Sequence, residues 1–173
     1  MQEDHNDHLQ EREFDLLIDA LITFGERLRG KPYAYGTKNI HLAGGLGLKI
    51  LHHAISFRHL AVGYALELNG KTFDPQIDFA SGVILVRAAL ETYLTLNHIY
   101  ITPADEAEYK FRFDAWDYAG YHERLKHFPA DPQFQQQYQK ESAEMARLEQ
   151  TLQNDPCFLR LSTGLQEKLL DKG

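Results

Sequence analysis

Cysteine is almost missing from this chain. Cys157 is the only one in 173 residues, which excludes an intrachain disulfide framework and suits a reducing compartment. Basic residues are in deficit as well, with 18 Lys and Arg against 25 Asp and Glu, a net charge of -7 and a pI near 5.7. That balance favours solubility and excludes a broad polyanion-binding surface, while leaving room for a local basic groove. No Val/Ile/Thr-rich alternating run is present, so no β-sheet is predicted. No repeat period is visible either. The N-terminal stretch MQEDHNDHLQEREFD is polar and acidic, and reads as neither a signal nor a transit peptide.

What the chain does contain is core material: 43% hydrophobic residues, with ten Phe and nine Tyr. One globular domain over residues 1–173 is the natural expectation at this length. A single long apolar run, Phe79 to Thr102, is long enough to cross a bilayer. Arg87, Glu91, Asn97 and His98 inside it would each be penalised there, and no Lys/Arg cluster flanks it. It therefore reads as the buried central helix of a soluble, cytoplasmic protein with no membrane contact.

The 3.6-residue period predicts five long helices. The first runs from about Asp7 to Arg29 and ends at Gly30-Lys31-Pro32. The second spans about Leu42 to Leu68, with Asn69-Gly70 as its C-terminal cap. Asp78 is the expected N-cap of the third helix, and Pro103 suits the first turn of a fourth, Ala104 to His127. The fifth, Gln133 to Gln153, is Gln-rich. Its apolar residues Phe134, Tyr138, Met145, Leu148 and Leu152 follow a narrow seam that predicts packing on one neighbour or on another subunit. A shorter helical tail, Phe158–Leu170, follows. The predicted fold is all-α, an up-and-down bundle of four to five long helices. The chain stops at LLDKG straight after an amphipathic segment, the pattern of a fraying terminal helix or of a longer protein.

Candidate functional residues fall in three places. Arg87 and Glu91 stand four apart on the apolar helix, where a buried charge pair needs matching partners. Such a pair reads as a structural clamp, or, joined by His98 on the same sector, as an acid–base or phosphate site. On the second helix Lys49, His52 and His59 share a mildly basic stripe, read as a solvated face or an anion contact. Their spacing matches no metal site. On the fourth helix Arg112, His122 and Arg124 accompany Trp116, and the Arg112 stem is expected to lie along the indole. No nucleophile–base arrangement, cofactor motif or metal signature appears, so no catalytic residue, cofactor or metal is assigned.

The block RAALETYLTLNHIYI, followed after a proline by RFDAWDYAGYHERLKH, resembles a family of uncharacterised bacterial all-helical proteins. The pattern is carried by Arg87, Glu91, Arg112, Trp116, Gly120 and Arg124, and covers about residues 80–130. Those proteins are in turn similar to the HEPN superfamily, and the resemblance implies RNA processing, phage defence or a toxin role. If the chain is an enzyme, it implies an endoribonuclease. HEPN nucleases carry an Arg and a His separated by four to six residues. Here Arg112 and His122 have nine residues between them, Arg87 and His98 ten, and Arg124 and His127 two. The sequence thus predicts a non-catalytic interaction or oligomerisation module, a dimer through the fifth helix, with an RNA-processing role as the alternative.

Overall fold

The computed structural model describes residues 3–28, 39–129 and 131–170. The fold is all-α, with five long helices and two short ones among the described residues: α1 (Glu3–Leu28), α2 (Ile40–Val62), α3 (Phe79–Leu96), α4 (Glu106–Arg124), α5 (Pro132–Gln153), α6 (Pro156–Leu159) and α7 (Thr163–Leu170). The expected end of α1 at Gly30-Lys31-Pro32 lies outside the described residues. Where one domain was expected, the chain divides into two compact units, Met1–Asn97 and His98–Gly173.

The prediction of no β-sheet is corrected. Helix α2 stops at Val62, six residues before the expected Leu68, and Gly63 turns the chain with φ 79°. An antiparallel hairpin follows, β1 (Tyr64–Leu68) and β2 (Lys71–Gln76), with Leu68 opposite Lys71. Asn69-Gly70 closes a two-residue loop rather than capping a helix. Both residues have positive φ, 53° and 72°, as a primed turn requires. Tyr64 pairs with Gln76 and Leu66 with Phe73, so β2 carries one extra residue there, a bulge around Asp74-Pro75.

In the first unit, α2 packs along α3, and Gly82 of α3 is buried where a Cβ would lie 3.5 Å from the Phe57 ring of α2. Helix α1 is tied to α2 by an edge-to-face contact of Phe14 with Phe57. Beside it, Arg58 donates to both carboxylate oxygens of Asp15, at 2.7 and 3.2 Å. The Asp78 cap forms as expected, its carboxylate accepting from Ser81 N at 3.0 Å.

The second unit holds a small, well-sealed core. Tyr118 of α4 meets Leu148 and Leu152 of α5, with Met145, Phe111, Ala115 and Leu169 packed around them. The Tyr118 hydroxyl also donates to the Leu170 carbonyl, at 3.4 Å, pinning α7 to α4. Each helix start here is set by an acid. Asp105, Asp131 and Asp155 accept from the backbone N–H of Glu108, Gln133 and Cys157, satisfying donors that a helix start leaves open. Pro132 and Pro156 occupy the first turns that follow. Pro103, expected in the first turn of α4, lies before its cap.

Candidate functional site

Two arrangements of the predicted residues emerge, one in each unit. On α3, Arg87 and Glu91 bond as the i,i+4 spacing predicts, Arg87 Nε donating to Glu91 Oε1 at 2.8 Å. Their burial is corrected. The side chains are 80% and 62% exposed, so the pair is a solvated surface bridge and no core clamp. Glu91 nonetheless raises the Arg87 pKa, by its hydrogen bond and then by its charge.

The helix around that pair is also not the buried centre of a bundle. Only 11% of its most apolar 18-residue stretch is buried. Phe79, Val83, Val86, Leu90, Tyr93 and Leu94 are all largely exposed. At 100° per residue these six and Arg87 fall on one sector, opposite the face that meets α2. Beside the N-terminal half of this stripe a groove of about 230 Å³ opens between α2 and α3. Phe57, Leu60, Phe79, Val83 and Val86 line most of it. Helix α1 leaves Leu16, Leu17, Leu21 and Phe24 exposed as well. Contiguous apolar surface on this scale marks a binding face. The sequence reading missed it because periodicity shows that a face is apolar, not what covers it.

In the second unit the structure joins His98 to Arg112, which the sequence reading had kept apart. The α-helical spacing ends at Leu96, and a π turn spans Asn97–Ile101. That turn breaks the period on which an Arg87–Glu91–His98 stripe depends. Arg112 Nη1 lies 3.3 Å from His98 Nδ1, and it donates to the His98 carbonyl at 2.7 Å and to Thr102 Oγ1 at 2.9 Å. Its Nη2 donates to Glu108 Oε1 at 2.5 Å. Glu108 in turn accepts from Ala104 N at 2.7 Å. That backbone bond first, and Arg112 second, hold its carboxyl below the usual range.

Burial first, and the Arg112 guanidinium second, lower the His98 pKa against an opposing pull from Glu108. The cluster fastens the π turn to α4, and Arg112 spends its donors on protein acceptors. The expected stacking of Arg112 on Trp116 does not form. The indole meets Phe113 edge-on, with centroids 5.8 Å apart.

The other candidates are spread out. His122 and Arg124 lie ten and twelve residues along α4 from Arg112, roughly 15 to 18 Å along the axis. Arg124 sits over the Tyr121 ring at 4.5 Å and pairs with Glu141 at 3.5 Å. Lys49, His52 and His59 are exposed along α2. Among the described residues no group of three His, Cys, Asp or Glu side chains converges to hold a metal. The α5 seam expected to meet another subunit is largely used inside the unit: Leu148 and Leu152 are in its core with Met145 against them. Tyr138 stacks on Phe128, and Phe134 alone of the five stays mostly exposed. Comparison with known protein families, with curated proteins and with solved structures finds no match to this chain.

Proposed function

We propose that the chain is a non-catalytic helical module that works by association, and that its contact surface is the apolar face of α3. The observation that carries this reading is the stripe from Phe79 to Leu94, which is apolar and open to solvent over most of its length. Burying one such side chain contributes about 1.5–3 kcal/mol, so covering several outweighs the entropic cost of pairing two chains. By length and composition α3 with its π turn also resembles a membrane span. Arg87 and Glu91 at its middle oppose that reading, since a charged residue at a bilayer centre costs about 2.5–3.5 kcal/mol on insertion scales. A protein partner in the aqueous cytoplasm fits the charges better.

Sedimentation velocity tests the proposal. The wild-type chain is expected to sediment well above its monomer mass of 19.9 kDa. The Val83→Glu, Leu90→Glu double variant, altered only at exposed positions, is expected to be monomeric with unchanged helix content. A wild-type chain that stays monomeric at its highest soluble concentration overturns the proposal, as does one that floats with vesicles of anionic lipid.

The alternative is a HEPN-like RNA-processing role, and one observation favours it: an arginine and a histidine do meet, at Arg112 and His98. Against it, Arg112 is already bonded to Glu108, Thr102 and the His98 carbonyl. The expected outcome of a ribonuclease assay on structured and unstructured RNA is no turnover. Cleavage that is lost in His98→Ala would promote this reading over the first.

A further inference from the structure

Resting on that reading, we propose that the occupant of the α3 face is a second copy of the same chain, docked antiparallel about a two-fold axis beside Ala88. Two features of the helix point there. The first is spacing. Phe79, Val83, Val86, Leu90 and Tyr93 recur at alternating intervals of four and three residues, the seam that lets two helices interlock.

Seams of this kind pair antiparallel in layers. With the axis at position 88, Val86 faces Leu90 of the second copy and Val83 faces its Tyr93. The groove beside Phe79, Val83 and Val86, about 230 Å³ in volume, then lies where the second copy brings Leu90 and Tyr93. Each copy offers one groove and one pair of large side chains, as an isologous interface requires.

The second feature is charge. Arg87 and Glu91 carry the only charges on this helix, they are of opposite sign, and they flank the proposed axis. An antiparallel copy brings Glu91 to Arg87 twice over. A parallel copy sets Arg87 against Arg87 and Glu91 against Glu91. The intrachain bond uses only the Nε donor and one carboxylate oxygen, and the guanidinium has four further N–H donors for the second copy. The pair therefore fixes register and direction, while the apolar stripe supplies the affinity.

Charge reversal tests this without touching the core, because both side chains are mostly exposed. Arg87→Glu alone and Glu91→Arg alone each place like charges together at both ends of the axis. Each is expected to weaken self-association by about tenfold or more in Kd. An equimolar mixture of the two variants is expected to recover wild-type affinity as a heterodimer, and so is the double swap Arg87→Glu, Glu91→Arg. If both single variants self-associate as tightly as wild type, the antiparallel register is wrong while association through α3 stands. The same holds if they weaken and the mixture does not recover. If wild type itself fails to associate, the underlying reading falls with it.

Discussion

Replacing Leu152 by alanine is the sharpest probe of the second unit. Leu152 is 1% exposed and lies against Leu148 and Tyr118, themselves 2% and 1% exposed. Truncating such a leucine costs about 2–5 kcal/mol, the upper part applying where neighbours cannot collapse into the space. Tyr118 is held at its hydroxyl by the Leu170 carbonyl and Leu148 is one turn away on the same helix, so about 3 kcal/mol is the expected loss. For a unit of 60–100 residues each kcal/mol lowers the melting temperature by about 4–8 °C, so the drop should be about 12–24 °C.

Trp116 is the chain's single tryptophan and stands on α4, so its fluorescence follows this unit, while far-ultraviolet circular dichroism follows both. Leu165→Ala, at a residue 53% exposed, is the control and should move the midpoint little, within about 0.5 kcal/mol. Equal, small shifts for both variants would refute the core assignment. So would a Leu152→Ala effect that grows on dilution, the mark of a seam between subunits.

Glu91→Ala should leave the melting temperature within experimental scatter, because the bridge it breaks is solvated; a large drop would return the pair to the core. Lowering pH should selectively destabilise the wild type through His98. Its pKa is lowered from 6.5 by burial and Arg112, so its contribution is complete above pH 6.5 and is lost as pH falls through the lowered value. His98→Gln should flatten that part of the stability–pH profile, and an unchanged profile would contradict it. Tyr109 has a buried hydroxyl without a hydrogen-bond partner, so Tyr109→Phe should raise stability by roughly 1 kcal/mol in urea unfolding. Tyr100, pushed up to about 12 by burial and by Tyr109, keeps its contribution below pH 10 and loses it as pH rises through about 12. The difference in phenolate absorbance between wild type and Tyr100→Phe measures that titration.

Helix positions were legible because each long helix repeats its apolar residues at 3.6 and is bracketed by Asp, Pro or Gly. The hairpin was not. Tyr64, Leu66 and Leu68 continue the apolar character of α2, and Asn-Gly serves both a helix end and a primed turn. Two strands joined by exactly those two residues were the available signal. The π turn at Asn97–Ile101 leaves no mark on periodicity, which is why His98 was grouped with Glu91 instead of Arg112. The bond between Arg87 and Glu91 is local and could be read from spacing. Their exposure depends on what packs over α3, which no local pattern encodes.

The bulged strand β2 bears on how copies of this protein can meet. A two-stranded hairpin has two open edges, each a template for pairing with a neighbour's backbone. Pro75 sits in β2 at the irregular stretch opposite Tyr64–Leu66, and it has no N–H to offer an incoming strand. A foreign strand laid along that side would lose a ladder bond and meet a kink. Sheet-to-sheet growth from β2 is blunted by one residue. Controlled pairing through side chains on α3 then faces less competition from open-ended backbone aggregation, and Pro75→Thr should make the protein more prone to fibrils.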